Sequence, residues 1–162
     1  MAHGIIPSHP IGTLSGHAYP VLNYLEGTSQ VFKAGDFVVG ASGYLTVCGA
    51  DPVLILGMAL EDAHNTTAGL YTIPVALALE TVLFGMSVYH ATAGNNLIEA
   101  TDMFLLCDIA MSAYGKWVAD KAVVTTTSRL RILKFVEPLA TVSGIVAGVI
   151  AATYRQIGFV GA

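Results

Sequence analysis

The chain has 162 residues, enough for one domain or two small lobes sharing a core, and a chain of this length buries roughly 70% of its unfolded surface. Charged residues make up 11% against a usual ~25%, the apolar share is 54% and the formal net charge is -4. The basic residues Lys33, Lys116, Lys121, Arg129, Arg131, Lys134 and Arg155 are scattered, which excludes the electrostatic footprint of direct nucleic-acid binding. So few charges solvate a surface sparsely, and the expectation is that part of it is covered by protein, in a homo-oligomer or larger assembly.

Residues 1–23 carry Pro7, Pro10 and Pro20 together with His3, His9 and His17. Proline fixes φ and removes donors, so this segment is expected to be an extended arm rather than part of a sheet. Its Ile5, Ile6, Pro7, His9, Pro10, Ile11, Leu14 and Tyr19 are too apolar for a solvated tail, and they are the candidate partner-binding residues. Two destinations stay open: the arm folds back over its own domain, or it reaches a neighbouring subunit or partner.

Residues 24–162 read as a β-rich domain. Phe37 to Val39, Tyr44 to Val47 and Val53 to Leu60 are β-branched and aromatic runs separated by glycine-rich turns and Asp51-Pro52, a β-meander. A helix here would carry Gly35, Gly40, Gly43 and Gly49 at about 1 kcal/mol each. Residues 61–69 are a polar loop, Leu70 to Val75 alternate, and Thr81 to Phe84 and Met86 to Tyr89 are further strands. Val75 to Glu80 has helical propensity, but no cap or break separates it from the strands that follow. Residues 90–96 are a loop or a joint, and Leu97 to Thr101 is too short to decide between a helical turn and coil.

The second half echoes the first. Asp36 to Gly43 and Asp108 to Gly115 each place an Asp seven residues ahead of a Gly, and each is followed by an aromatic-plus-aliphatic strand, a polar turn and a longer apolar strand ending in an acid. This reads either as an internal duplication with lobes at 24–90 and 97–162, or as the common look of β-meanders. Thr125 to Ser128 is a polar turn. Arg129 to Val136 alternates charge with aliphatic, and Val142 to Thr153 and Gln156 to Val160 are apolar strands broken by glycine. The expected fold is all-β, an antiparallel sandwich or barrel-like domain.

No constellation for chemistry is found. GxxxxGK[ST] and GxGxxG are absent, and the five histidines have no HxH, HExxH or Cys-x-x-Cys context, so no cofactor and no metal site is expected. Glu61-Asp62 is an adjacent acidic pair whose side chains point to opposite faces of a strand, unsuited to paired acid–base work. No G-x-S-x-G elbow occurs, and Cys48 and Cys107 lie in apolar runs that make them buried thiols rather than nucleophiles. The expectation is a protein that is not an enzyme. The N-terminus lacks a basic n-region and a long apolar h-region. The apolar stretch Leu139 to Ala152 falls short of the ~20 residues a bilayer needs, so a cytosolically made, non-membrane protein is expected.

The run Phe32-Lys33-Ala34-Gly35-Asp36-Phe37-Val38, followed by Gly43 to Val47, Cys48-Gly49-Ala50-Asp51-Pro52 and Ile55 to Leu60, resembles the tailed-bacteriophage capsid decoration (cement) protein family. The likeness covers residues 30–90 in its motifs and the later half in rhythm; the arm lies outside it. Its motif positions Gly35, Asp36, Gly43, Gly49, Asp51, Pro52 and Gly57 are structural turns, not a chemical site. The resemblance implies a β-rich homotrimer on the outer surface of an icosahedral head, where it ties neighbouring major capsid proteins together. Other expectations are a different virion component, such as a head fibre or tail protein, and a carbohydrate- or small-ligand-binding β-barrel using Trp117 and the tyrosines.

Overall fold

The computed structural model describes residues 5–50, 52, 54–92, 94–113, 115–122 and 130–150. Their strands are β1 (His9–Thr13), β2 (Val21–Leu25), β3 (Phe37–Ala41), β4 (Tyr44–Val47), β5 (Gly57–Ala59), β6 (Thr72–Leu77), β7 (Val82–Tyr89), β8 (Leu106–Met111), β9 (Trp117–Asp120), β10 (Leu130–Phe135) and β11 (Ile145–Ile150). The fold is all-β, as the glycine-separated apolar runs predict. Residues Ala100–Asp102, inside the undecided 97–101 region and one residue beyond it, make one 3₁₀ turn.

The strands form two units. An N-terminal sheet has the order β2-β6-β5-β3-β4, and β7-β11-β10-β8-β9 closes into a barrel through a parallel β7–β9 ladder. In both units the first strand pairs with the last, the last with the fourth, the fourth with the second and the second with the third. The outer strands of the N-terminal sheet then touch at one parallel bridge, Glu26 to Leu45, where the barrel has its β7–β9 ladder. Sheet pairing thus changes over between β6 and β7. The landmarks Asp36 and Asp108 do not correspond: Asp36 precedes β3, whereas Asp108 lies inside β8 opposite Asp120. Gly43 and Gly115 do correspond, each at positive φ just ahead of β4 or β9.

Local chemistry explains the elements. Ser42 and Gly43 both have positive φ, 51° and 85°, which makes the two-residue turn whose twist suits a hairpin between β3 and β4. Gly57 is not in a turn; it lies in β5, and a Cβ there would run into the backbone of Ala76 on β6. The strand expected over Val53 to Leu60 is regular only at Gly57–Ala59, although Leu56 still donates to Val38 O and accepts from Ala78 N. The strands expected on either side of Gly85 are one, β7, because Gly85 leaves room for the side chains of His9 and Ile11 at 3.0 Å from where a Cβ would stand.

The arm corrects the expectation drawn from its prolines. Residues His9–Thr13 are a strand, antiparallel to β7 of the same chain, and β2 already begins at Val21, inside the expected arm. Pro7 precedes the strand and Pro10 stands where the register shifts, positions at which a missing N–H costs the ladder nothing.

Side chains alternate between two interiors, as successive strand residues must. Phe37, Met58 and Ala76 face a core shared with Phe84, Met86, Ile109 and Trp117 of the barrel, whereas Val38, Ala59 and Val75 face the sheet's own core with Phe32, Leu45 and Ile73. Phe37 meets Phe84 and Trp117 edge-on, at 5.6 and 5.4 Å. Cys48 and Cys107 are free and buried, and burial pushes both thiols up to about 12.

Candidate functional site: the joint, the sheet's seam and its open edge

The Phe32-Lys33-Ala34-Gly35-Asp36 motif is a joint between arm, sheet and barrel. Gly35, at φ +95°, closes the turn in which Asp36 N donates to Lys33 O. One Asp36 oxygen accepts Lys33 N at 2.8 Å, and the other accepts the indole N–H of Trp117, from the barrel, at 3.1 Å. Ser8 Oγ of the arm donates to Gly35 O at 2.8 Å. Lys33 and Ala34 N hold Asp62 at 2.9 Å each, and these bonds, the Ala34 N–H first, keep the Asp62 carboxyl below the usual range. Pro7 and Ser8 fill the corner beside Gly115 and Trp117, leaving a crevice of about 80 Å³.

A second feature seals one end of the sheet. Glu26, buried at 1% exposure, follows β2 and carries the bridge to β4. Its carboxylate accepts the backbone N–H groups of His64 and Asn65 and lies 2.9 Å from His64 Nδ1. The His64 ring stacks on Tyr71 at 4.0 Å, and its Nε2 is 3.7 Å from Glu61. Glu26 N donates to Tyr71 O and Glu26 O accepts from Gly69 N, so the polar loop is wrapped around one carboxylate. Spacing rules for metal and triad motifs passed over this pair; a lone Glu closing the apolar run VLNYL ahead of a Gly is the signal that points to it.

Upstream of that seam the sheet opens. Tyr24, Gly40, Ser42, Gly43, Tyr44, Leu45 and Leu56 line an uncharged cleft of about 370 Å³ between β2 and β4. Val21, Leu22 and Leu25 of β2 are 43%, 52% and 44% exposed, and Leu70, Tyr71 and Val31 are exposed in the same unit. In the barrel Phe104, Val136 and Leu139 are exposed. Lys121 Nζ, nearly buried, binds Leu97 O, Glu99 and Asp102 and ties the 3₁₀ turn to the end of β9.

The arm residues named from sequence divide. Ile5 and Ile6 are half-buried, with Ile6 N donating to Ser87 Oγ at 3.1 Å; His9 and Pro10 are half-buried in β1, and Tyr19 packs on the shared core. Pro7, Ile11 and Leu14 are exposed. Among the motif positions, Gly35, Asp36 and Gly43 make turns, Gly49 is exposed, Pro52 is buried, and Asp51 lies outside the described residues. So do Thr125 to Ser128, Arg129 and Gln156 to Val160.

Among the described residues no three His, Cys, Asp or Glu side chains are grouped to hold a metal ion, and no helix is long and apolar enough to cross a membrane. No protein family, curated protein or solved structure matches this chain.

Proposed function

We propose that this protein is a non-catalytic structural protein that decorates the outside of an icosahedral phage head and stabilises it by bridging neighbouring major capsid proteins, as an oligomer of its own copies. A trimer is the order the resemblance at residues 32–60 implies. The observation that carries the reading is a pair of β-units sharing one core, with exposed apolar residues on each: Val31 and Leu70 on the sheet, and Phe104, Val136 and Leu139 on the barrel. A body with apolar contacts on both units, locked by one core, joins two neighbours without chemistry. On a closed shell each contact of a bound copy is effectively intramolecular, so modest contacts sum to firm retention.

The test is co-sedimentation with heads assembled from the cognate major capsid protein and stripped of decoration. Saturable binding that weakens in Phe104→Lys and Leu139→Lys supports the reading; no binding at any concentration contradicts it. The cleft between Tyr24 and Tyr44 favours a second reading, a small-ligand-binding β-barrel, because its volume lies in the range of small-molecule sites. A thermal-shift screen of sugars and small apolar compounds without a hit removes that reading.

A further inference from the structure

The two units offer the same place for an additional strand, and only one of these places is filled. In the barrel, β7 is paired with β9 at Ser87 to Tyr89, and the rest of the same edge, Val82 to Gly85, is covered by β1. In the N-terminal sheet, β2 is the topological counterpart of β7 and β4 of β9. Glu26 touches Leu45, but no strand among the described residues covers the edge at Val21 to Tyr24. The corner beside Gly115, occupied by Pro7, Ser8 and the Lys33–Asp36 turn, leaves about 80 Å³, and the cleft beside Gly43 about 370 Å³. The chain thus has one such arm strand, β1, and two edges of this kind.

The direction of the open groups can be read from the bonds flanking the ladder. Leu77 N donates to Pro20 O and Glu26 N to Tyr71 O, so even-numbered residues of β2 turn their N–H and C=O toward β6. Those of Val21 and Asn23 therefore face outward. Exposed edges are normally guarded by charge, proline or a bulge, and Val21–Leu25 has none of these. The nearest charge, Glu26, is buried against His64.

We infer that the outer edge of β2 pairs with a second copy of this chain, whose strand occupies the place that β1 takes on β7. This deepens the assembly reading above by naming its self-contact. An uncharged strand brought against another copy suffers no like-charge repulsion, and it covers Val21, Leu22 and Leu25 on a chain with few charges. The second copy has two open edges to offer. Its own β2, paired about Leu22, sets Val21 opposite Asn23 and gives a two-fold pair; the outer edge of its β1, which among the described residues pairs only with β7, gives a head-to-tail ring.

The experiment is the solution mass of the full chain by light scattering over a concentration series, for wild type, Asn23→Pro and Leu22→Lys. Proline at 23 removes an outward N–H and leaves the bonds to β6 in place; lysine at the half-exposed position 22 puts a charge into the apolar contact, opposite a second Lys in the two-fold pair and against uncharged strand in the ring, and serves where the proline variant misfolds. The expected result is a wild-type mass that is a multiple of 16.9 kDa, with self-association weakened roughly tenfold or more in both variants while their melts stay cooperative. A dimer or a trimer that responds in this way supports the inference. A wild-type monomer at all concentrations overturns it, even where head binding persists, and an oligomer indifferent to both substitutions overturns this surface.

Discussion

The N-terminal sheet and the C-terminal barrel have one strand order and two ways of closing it. The barrel's seam is a three-pair parallel ladder prolonged by β1, made of backbone bonds that any residues but proline supply. The sheet's seam is one bridge held by the Glu26 carboxylate, two loop amides and the His64 ring. Topology therefore sets where a seam lies, and side chains decide whether it is sealed. A seam resting on one carboxylate leaves the adjoining edge of β2 open, and there the molecule presents Val21, Leu22 and Leu25.

The largest loss comes from removing what both units share. Phe37→Ala empties the contact of β3 with Phe84 and Trp117 and is expected to cost about 3–5 kcal/mol, with circular dichroism and Trp117 fluorescence still melting together. Separate transitions in the wild type would show that the two units do not share one core. Next, Glu26→Ala leaves the His64 and Asn65 amides without their acceptor and is expected to cost about 2–3 kcal/mol in urea unfolding. Its hydrogen exchange should speed up in residues 61–71 and leave β7 to β11 unchanged.

The thiols probe both units at once. In the folded protein Cys48 and Cys107 keep their protons up to about 12, whereas the unfolded chain releases them near 9.0. The stability tied to them is complete below pH 9 and is lost as pH rises toward 12, roughly 1 kcal/mol for each thiol between pH 9 and 10. Cys48→Ala and Cys107→Ala should each flatten that slope in melts between pH 8 and 10.5. The smallest effect is expected for Gly85→Ala, whose Cβ crowds His9 and Ile11 and loosens β1 by about 1 kcal/mol, read as faster exchange in residues 9–13.

The strands at Phe37, at Tyr44–Val47 and at Leu130–Phe135 are legible because glycine and polar turns punctuate β-branched runs, whereas Val53 to Leu60 is regular only at Gly57–Ala59. The likeness of the two halves holds for the turns at Gly43 and Gly115 and for strand order, and fails at Asp36 and Asp108. What stayed hidden is long-range. Nothing local says that β1 will lie on β7, or that Glu26 will meet residues 64–65, since such contacts depend on closing long loops rather than on propensity. Asp36 reads as a turn residue, and it is one; its bond to Trp117 in the other unit has no sequence signature.

The most direct measurement is residue-resolved amide hydrogen exchange of β2 and β7 at two protein concentrations. The predicted result is slow exchange along β7 at both, slow exchange at Leu22 and Tyr24 through the β6 ladder, and exchange at Val21 and Asn23 that is slow when the protein is concentrated and fast when it is diluted. Unprotected amides at Val21 and Asn23 in concentrated protein would contradict the account.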